Sequence, residues 1–304
     1  MWFKNLLLYR FTTPFELTAE QLEDQLDEHR FTPCGRHDKS RYGWVSPLSE
    51  KHTTLTHAAN GCIMLCARKE EKVLPAAVIR ERLNDKVSEI EAKEDRKVYG
   101  KEKEALKEDI LHDCLPQAFT RSSRVYGYIA PQDGWLLIDA SSPGKAEEFM
   151  KHLRESIGTL PVIPIQVKAS PAIVMTEWLK QASLPEGLVL TDECELREPG
   201  DGGSVVRCKN QDLLSEEIDV HLNAGKQVVK LGLEWDEQIK LVLQEDLAVK
   251  RLKFDDKLVT ESEEASGGDK LAQFDADFAL MTATLKQFVP ALLNYFGDAR
   301  PDPI

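Results

Sequence analysis

QVVKLGLEWDEQIKLVLQEDLAVKRLKF, Gln227 to Phe254, decides the fold class. Three apolar runs, Gln227–Trp235, Gln238–Leu243 and Val249–Phe254, are separated by short polar turns too brief for a crossover helix, so they predict an antiparallel meander. Side chains alternate across a strand. Val229, Leu231, Leu233 and Trp235 therefore share one face with Ile239, Leu241 and Leu243. Lys230 and Lys240 fall on the opposite face. In the third strand Leu252 and Phe254 belong to the core, which turns Arg251 and Lys253 outward. Four cations thus share one sheet face, with Glu234 as the main opposing charge. Such a face suits phosphates, which displace counterions without reading sequence; it also suits plain solvation, because sheets with one wet side are often rich in lysine.

Outward from the meander, Ser204–Cys208 reads as a strand and Ser215 as the cap of a helix with Glu216 and Glu217 in its first turn. Glu261–Asp269 reads as a polar, glycine-containing loop. A last helix is expected from about Asp275 to Phe296, kinked at Pro290. Asp275 and Asp277 are read as acids at that helix's start, where they cap and favour the dipole. Towards the N-terminus, Trp2–Phe11, Tyr42–Val45, Cys62–Arg68, Val125–Ile129, Trp135–Ile138 and Pro161–Val167 read as strands. Thr18 with Gln21 gives a capping box, and Ser142 with Pro143 opens another helix.

Between Ala76 and Asp113 the chain is dense in charge, with apolar residues at helical spacing on either side of Gly100. A narrow apolar stripe surrounded by charge predicts a helical hairpin that projects as a finger. The expected architecture is α+β: antiparallel sheets, the finger, and a C-terminal sheet-and-helix module. Its divisions are 1–75 with 114–170, then 76–113, then 171–304.

The 304 residues are 42% hydrophobic and 30% charged, ordinary for a soluble globular chain, and no run reaches the ~18 apolar residues of a membrane helix. A net charge of −13 counts against nucleic acid on its face. The sum does not report where the 39 Lys and Arg lie relative to the 52 acids, however. Six cysteines without a CxxC pair read as reduced thiols, placing the chain in the cytoplasm. Cys62 and Cys66 share one face of a strand and read as buried apolar side chains; neither a metal nor another cofactor is expected. The phosphate-binding, nucleophile-elbow and zinc-helix motifs of common enzymes are absent, so no catalytic residue is assigned.

Two further places bear on binding. Arg207, Lys209, Asn210 and Gln211 precede the Ser215 helix, whose N-terminal amides favour anions; an ordinary strand-to-helix turn is the competing reading. Arg36, Lys39 and Arg41, and also Arg121 with Arg124, form smaller basic clusters. Phe119 lies between polar residues just after the finger. It reads either as an interface anchor or as a core residue.

Several blocks occur in one order: WFKNLLLYRF (Trp2–Phe11), FTPCGRHDKSRYGWVSPLSEKHTTLTHAANGCIMLCARKEEKVLP (Phe31–Pro75), LPQAFTR (Leu115–Arg121), TEWL (Thr176–Leu179), KNQDLLSEEI (Lys209–Ile218), VKLGLEW (Val229–Trp235), VKRLKF (Val249–Phe254) and FDADFALMT (Phe274–Thr282). In them the chain resembles the RdgC family of bacterial recombination-associated proteins. The resemblance implies a non-enzymatic protein of the cytoplasm and nucleoid. It would bind double-stranded DNA without sequence preference, as a ring-shaped homodimer around the duplex, and restrain RecA-dependent recombination. The family's KxQDL pattern stands here as Lys209, Gln211, Asp212 and Leu213, with Asn210 where some relatives carry lysine. The competing class is an acidic protein–protein adaptor that acts on RecA or another partner without DNA.

Overall fold

The computed structural model describes residues 1–49 and 51–299; residues 300–304 of the expected C-terminal module lie outside them. The N-terminal half builds a seven-stranded antiparallel sheet. Strand β1 (Leu7–Phe11) leads to helix α1 (Ala19–Asp27), where the capping box forms as expected: Gln21 N–H donates to Thr18 Oγ1 at 3.2 Å and Thr18 N–H to Gln21 Oε1 at 3.0 Å. Strands β2 (Ser40–Val45) and β3 (Thr56–Ala59) lie end to end along β4 (Cys62–Lys72). Gly43 in β2 is required by close approach. A Cβ there would stand 2.6 Å from the backbone nitrogen of Phe31, whose N–H donates to the Trp44 carbonyl.

The chain then leaves the sheet as helices α2 (Ala76–Glu94) and α3 (Gly100–Cys114), which pack on each other as the expected hairpin. Asp95 ends α2 in the left-handed region, at φ 48°. The return runs through a 3-10 turn into β5 (Thr120–Ala130), paired with β4 in unbroken register from Ile63–Ile129 to Lys72–Thr120. Strand β6 (Trp135–Asp139), helix α4 (Pro143–Ile157) and edge strand β7 (Val162–Pro164) complete this half. Ser142 holds the cap position of α4, but its side chain makes no capping bond.

The second half contains α5 (Pro171–Lys180), β8 (Leu188–Arg197), β9 (Val205–Lys209), α6 (Glu216–Asn223) and the expected meander β10 (Gln227–Trp235), β11 (Ile239–Gln244) and β12 (Val249–Phe254). The sheet order is β12-β11-β10-β8-β9. Strand β8 has no counterpart in the sequence reading, because its acids at 192, 193 and 195 hide the apolar alternation.

Two expectations are corrected at the C-terminus. Glu261–Asp269 is not a loop over most of its length, since helix α7 spans Asp256–Ser266. Helix α8 (Lys270–Tyr295) starts earlier than expected, capped by Asp269, whose carboxylate accepts from Leu271 N–H at 2.9 Å. Asp277 is consequently inside α8 and buried, and does not cap it. It pairs with the amino group of Met1 and accepts from Ser262 Oγ at 2.5 Å and Gln273 Nε2 at 2.9 Å. Asp275 meets His57 at 3.1 Å.

Two cores result. One lies between the N-terminal sheet and helices α1 and α4, and includes Trp44, Leu22 and Phe149. The other joins Leu8, Met64 and Tyr128 of the first sheet to Leu231, Leu243 and Phe288 of the second half. The N-terminal segment also ties the halves together, because Leu6 and Val249 exchange both backbone hydrogen bonds, at 2.8 and 3.0 Å.

Candidate nucleic-acid interface

The outer face of the second sheet carries the expected cations. Apolar side chains Leu231, Leu233, Leu241, Leu243, Leu252 and Phe254 are buried beneath it. Arg207, Lys209, Lys240, Arg251 and Lys253 are exposed above, and Lys230 is half-buried. Strand order brings Arg207, Lys209, Lys230 and Arg251 around one open cavity of about 230 Å³, although they come from three strands widely spaced in sequence. Lys240 and Lys253 stand opposite each other in register on β11 and β12 and line a separate recess of about 70 Å³. Gln211 lies apart from both groups, on the wall of a groove of about 700 Å³ beside Leu188 and Leu214.

Most of these cations already hold a carboxylate, and of those acids sequence reasoning singles out Glu234 alone. Glu195 is 5% exposed and receives Arg207 at 2.8 Å, Lys230 at 3.0 Å and Arg197 at 3.3 Å. Burial alone would raise its pKa. The hydrogen bonds and charges of Arg207 and Lys230 outweigh burial and hold it at about 2. Arg251 pairs with Glu193 at 2.5 Å, Lys240 with Glu234 at 3.3 Å and Lys253 with Asp256 at 3.2 Å. Lys209 has no ion pair among the described residues. Gln211 donates to Ser215 Oγ at 3.2 Å and Glu217 Oε2 at 2.8 Å, so its amide organises the start of α6. The missed signal was the i, i+2 pair Glu193 and Glu195, which alternation places on the face with the cations.

The arrangement can exchange carboxylate partners for phosphate oxygens. The side chains of Lys240 and Lys253 are largely solvent-exposed, and their ion pairs contribute at most about 1 kcal/mol each. A polyanion that releases counterions offsets that loss.

The smaller clusters lie near the root of the finger. Arg41 is bonded to Asp38 at 2.6 Å, Arg121 pairs with Glu71 at 3.6 Å, and His37 stacks on His112 of α3 with centroids 4.3 Å apart. Phe119, where the finger rejoins the sheet, is 86% exposed, which removes the core reading. Cys62 and Cys66 are buried as expected, and burial pushes their thiols up to about 11 and about 12. Among the described residues no group of three or more His, Cys, Asp or Glu is placed to hold a metal ion.

A family described as "Putative exonuclease, RdgC" matches residues 1–299. The chain is 52% identical over 297 residues to a protein of Aeromonas hydrophila named recombination-associated protein RdgC, with 98% of each chain covered. Proteins of the same name from Tolumonas auensis and Psychromonas ingrahamii are 49% and 46% identical, with 99% and 98% of this chain and 100% and 98% of theirs covered. The blocks from WFKNLLLYRF to FDADFALMT therefore lie inside a match of nearly full length, and the chain belongs to the RdgC family.

Proposed function

We propose that the protein binds double-stranded DNA without sequence preference, as a ring-shaped homodimer, and restrains RecA-dependent recombination in the cytoplasm and nucleoid. The observation that carries this reading is the convergence of Arg207, Lys209, Lys230 and Arg251 on one cavity of an otherwise acidic protein. Contacts from these cations to phosphate oxygens carry no sequence information, so sequence preference is not expected. The protein acts by occupying duplex rather than by cleaving it. A closed ring of two copies needs two separate two-fold contacts. Exposed Phe119 at the finger's root supports one contact, and the C-terminal module (171–304) would supply the other.

Gel shifts on duplexes of unrelated sequence, across a salt series, test the reading. Binding should be equal on all sequences, with log affinity falling linearly against log salt by about 0.9 per neutralised phosphate. No binding at low salt, with capture of RecA retained, would instead favour the acidic adaptor. Shortening of an end-labelled duplex would favour the exonuclease of the family description.

A further inference from the structure

Cys194 on β8 and Cys208 on β9 stand directly opposite each other in the antiparallel register. Residues so placed have Cα atoms about 4.5 or about 5.5 Å apart, and a disulfide accommodates Cα separations of about 4.4–6.8 Å. A bridge at this position therefore asks for side-chain rotation and no backbone movement. No other cysteine in the two sheets has this relation: Cys62 faces Ala59, and Cys66 lies between Val45 and Tyr126.

Access and reactivity differ across the pair. Cys194 is buried in the core beneath the sheet and Cys208, half-buried, packs against that core, both on the face opposite Glu195 and Arg207. Burial first, then the neighbouring Cys208, pushes the Cys194 thiol up to about 12. Cys194 is thus a poor first nucleophile. Cys208 is the more accessible of the two sulfurs, because it lies on edge strand β9 and is only half-buried.

We propose that Cys194 and Cys208 form a reversible redox pair, which a peroxide oxidises to a cross-strand disulfide that staples edge strand β9 to β8. The Cys208 sulfur attacks one peroxide oxygen, the O–O bond breaks, and the leaving hydroxide takes the Cys208 proton and departs as water. Cys194 sulfur then attacks the resulting sulfenic sulfur, forming the S–S bond; the displaced hydroxide takes the Cys194 proton and leaves as a second water. Two thiols lose two electrons together, and one peroxide becomes two waters. A dithiol reductant reverses the step by thiol–disulfide exchange and is itself oxidised to a disulfide. The device is independent of DNA binding. Its effect falls on the strand that carries Arg207 and Lys209, which has only one neighbour to hold it.

The test treats the full-length purified protein with hydrogen peroxide, blocks residual thiols, and maps peptides by mass spectrometry. The expected product joins the Cys194 and Cys208 peptides with the loss of two hydrogens, and dithiothreitol restores the separate peptides. Hydrogen exchange at the β9 amides should slow several-fold on oxidation and recover on reduction. In Cys194→Ser, dimedone should trap a sulfenic acid at Cys208. Should that variant fail to fold, the oxidation and reduction cycle of the parent decides alone. Bridges among other cysteines only, or β9 exchange unchanged by a Cys194–Cys208 bridge, would overturn the proposal.

Discussion

Glu193 on β8 and Arg251 on β12 meet at 2.5 Å although two strands, β10 and β11, lie between them. Gly232 on β10 makes the crossing possible. A Cβ there would come within 2.8 Å of Glu193 Cγ, so the bare backbone is what lets the carboxylate lean across. Arg251 is itself in the left-handed region, at φ 50°, beside the register shift between β11 and β12. Local backbone irregularity therefore re-aims this arginine over the sheet, as bulges commonly do.

Releasing Arg251 from that pair should strengthen DNA binding. Glu193→Gln keeps the shape and removes the charge that competes with phosphate. Anisotropy titrations across salt should show tighter binding at low salt and a log–log slope steeper by about 0.9, one additional phosphate. Identical slopes in parent and variant would remove Arg251 from the contact set.

Lys209 and Gln211 should separate in their effects. Lys209 is exposed without an ion pair among the described residues, so Lys209→Ala should weaken binding on every sequence and shift stability by less than about 0.5 kcal/mol. Gln211→Ala removes two hydrogen bonds at the start of α6 and should cost about 1 kcal/mol in thermal or urea unfolding. Equal melting temperatures for the two variants would contradict this division.

Phe119→Ser should leave the fold intact, because a side chain 86% exposed has little packing to lose. Sedimentation should show weakened self-association, and DNA should be held less well at equal protein concentration. A variant that associates and binds like the parent would exclude Phe119 from an interface.

Acid should act through Glu195. Its folded pKa, about 2, lies below its ordinary value of 4.5, so the folded state favours the charged form. Its contribution is fully present above about pH 4.5 and is lost as pH falls through about 2. Since the partner side chains Arg207, Lys230 and Arg197 remain partly or largely in solvent, that contribution is on the order of 2 kcal/mol rather than the full shift. Glu195→Gln should unfold more easily than the parent at neutral pH, with the gap narrowing across this window. A gap independent of pH would mean that shape, and not charge, holds the site.

The meander, the finger and the capped helix α1 were legible because their periodicity and caps are local. Helix α7 was not, because the face it buries is polar: Ser262 and Ser266 are buried and bonded to Asp277 and Gln273 of α8. A hydrophobic pattern cannot announce a helix held by hydroxyls. The cations of the site were legible for the same reason as the meander, since alternation alone turns Lys230 and Lys240 outward. Their partners were not, because Glu193 and Glu195 reach β10 only through the order in which β8 inserts between β10 and β9.

The two strands that carry the finger run eleven residues each without a break in register, and Val73 N–H adds one more bond, to the Phe119 carbonyl, at 2.7 Å. Both strands leave the core in the same direction, so a pull at the finger loads their hydrogen bonds in turn rather than together. The ribbon would open like a zipper from Lys72 and Thr120 inward, while Ile63 and Ile129 stay clamped in the buried sheet. A load applied at Phe119 would thereby be absorbed within the ribbon, a bond pair at a time, before it reached the sheet that holds the two halves together.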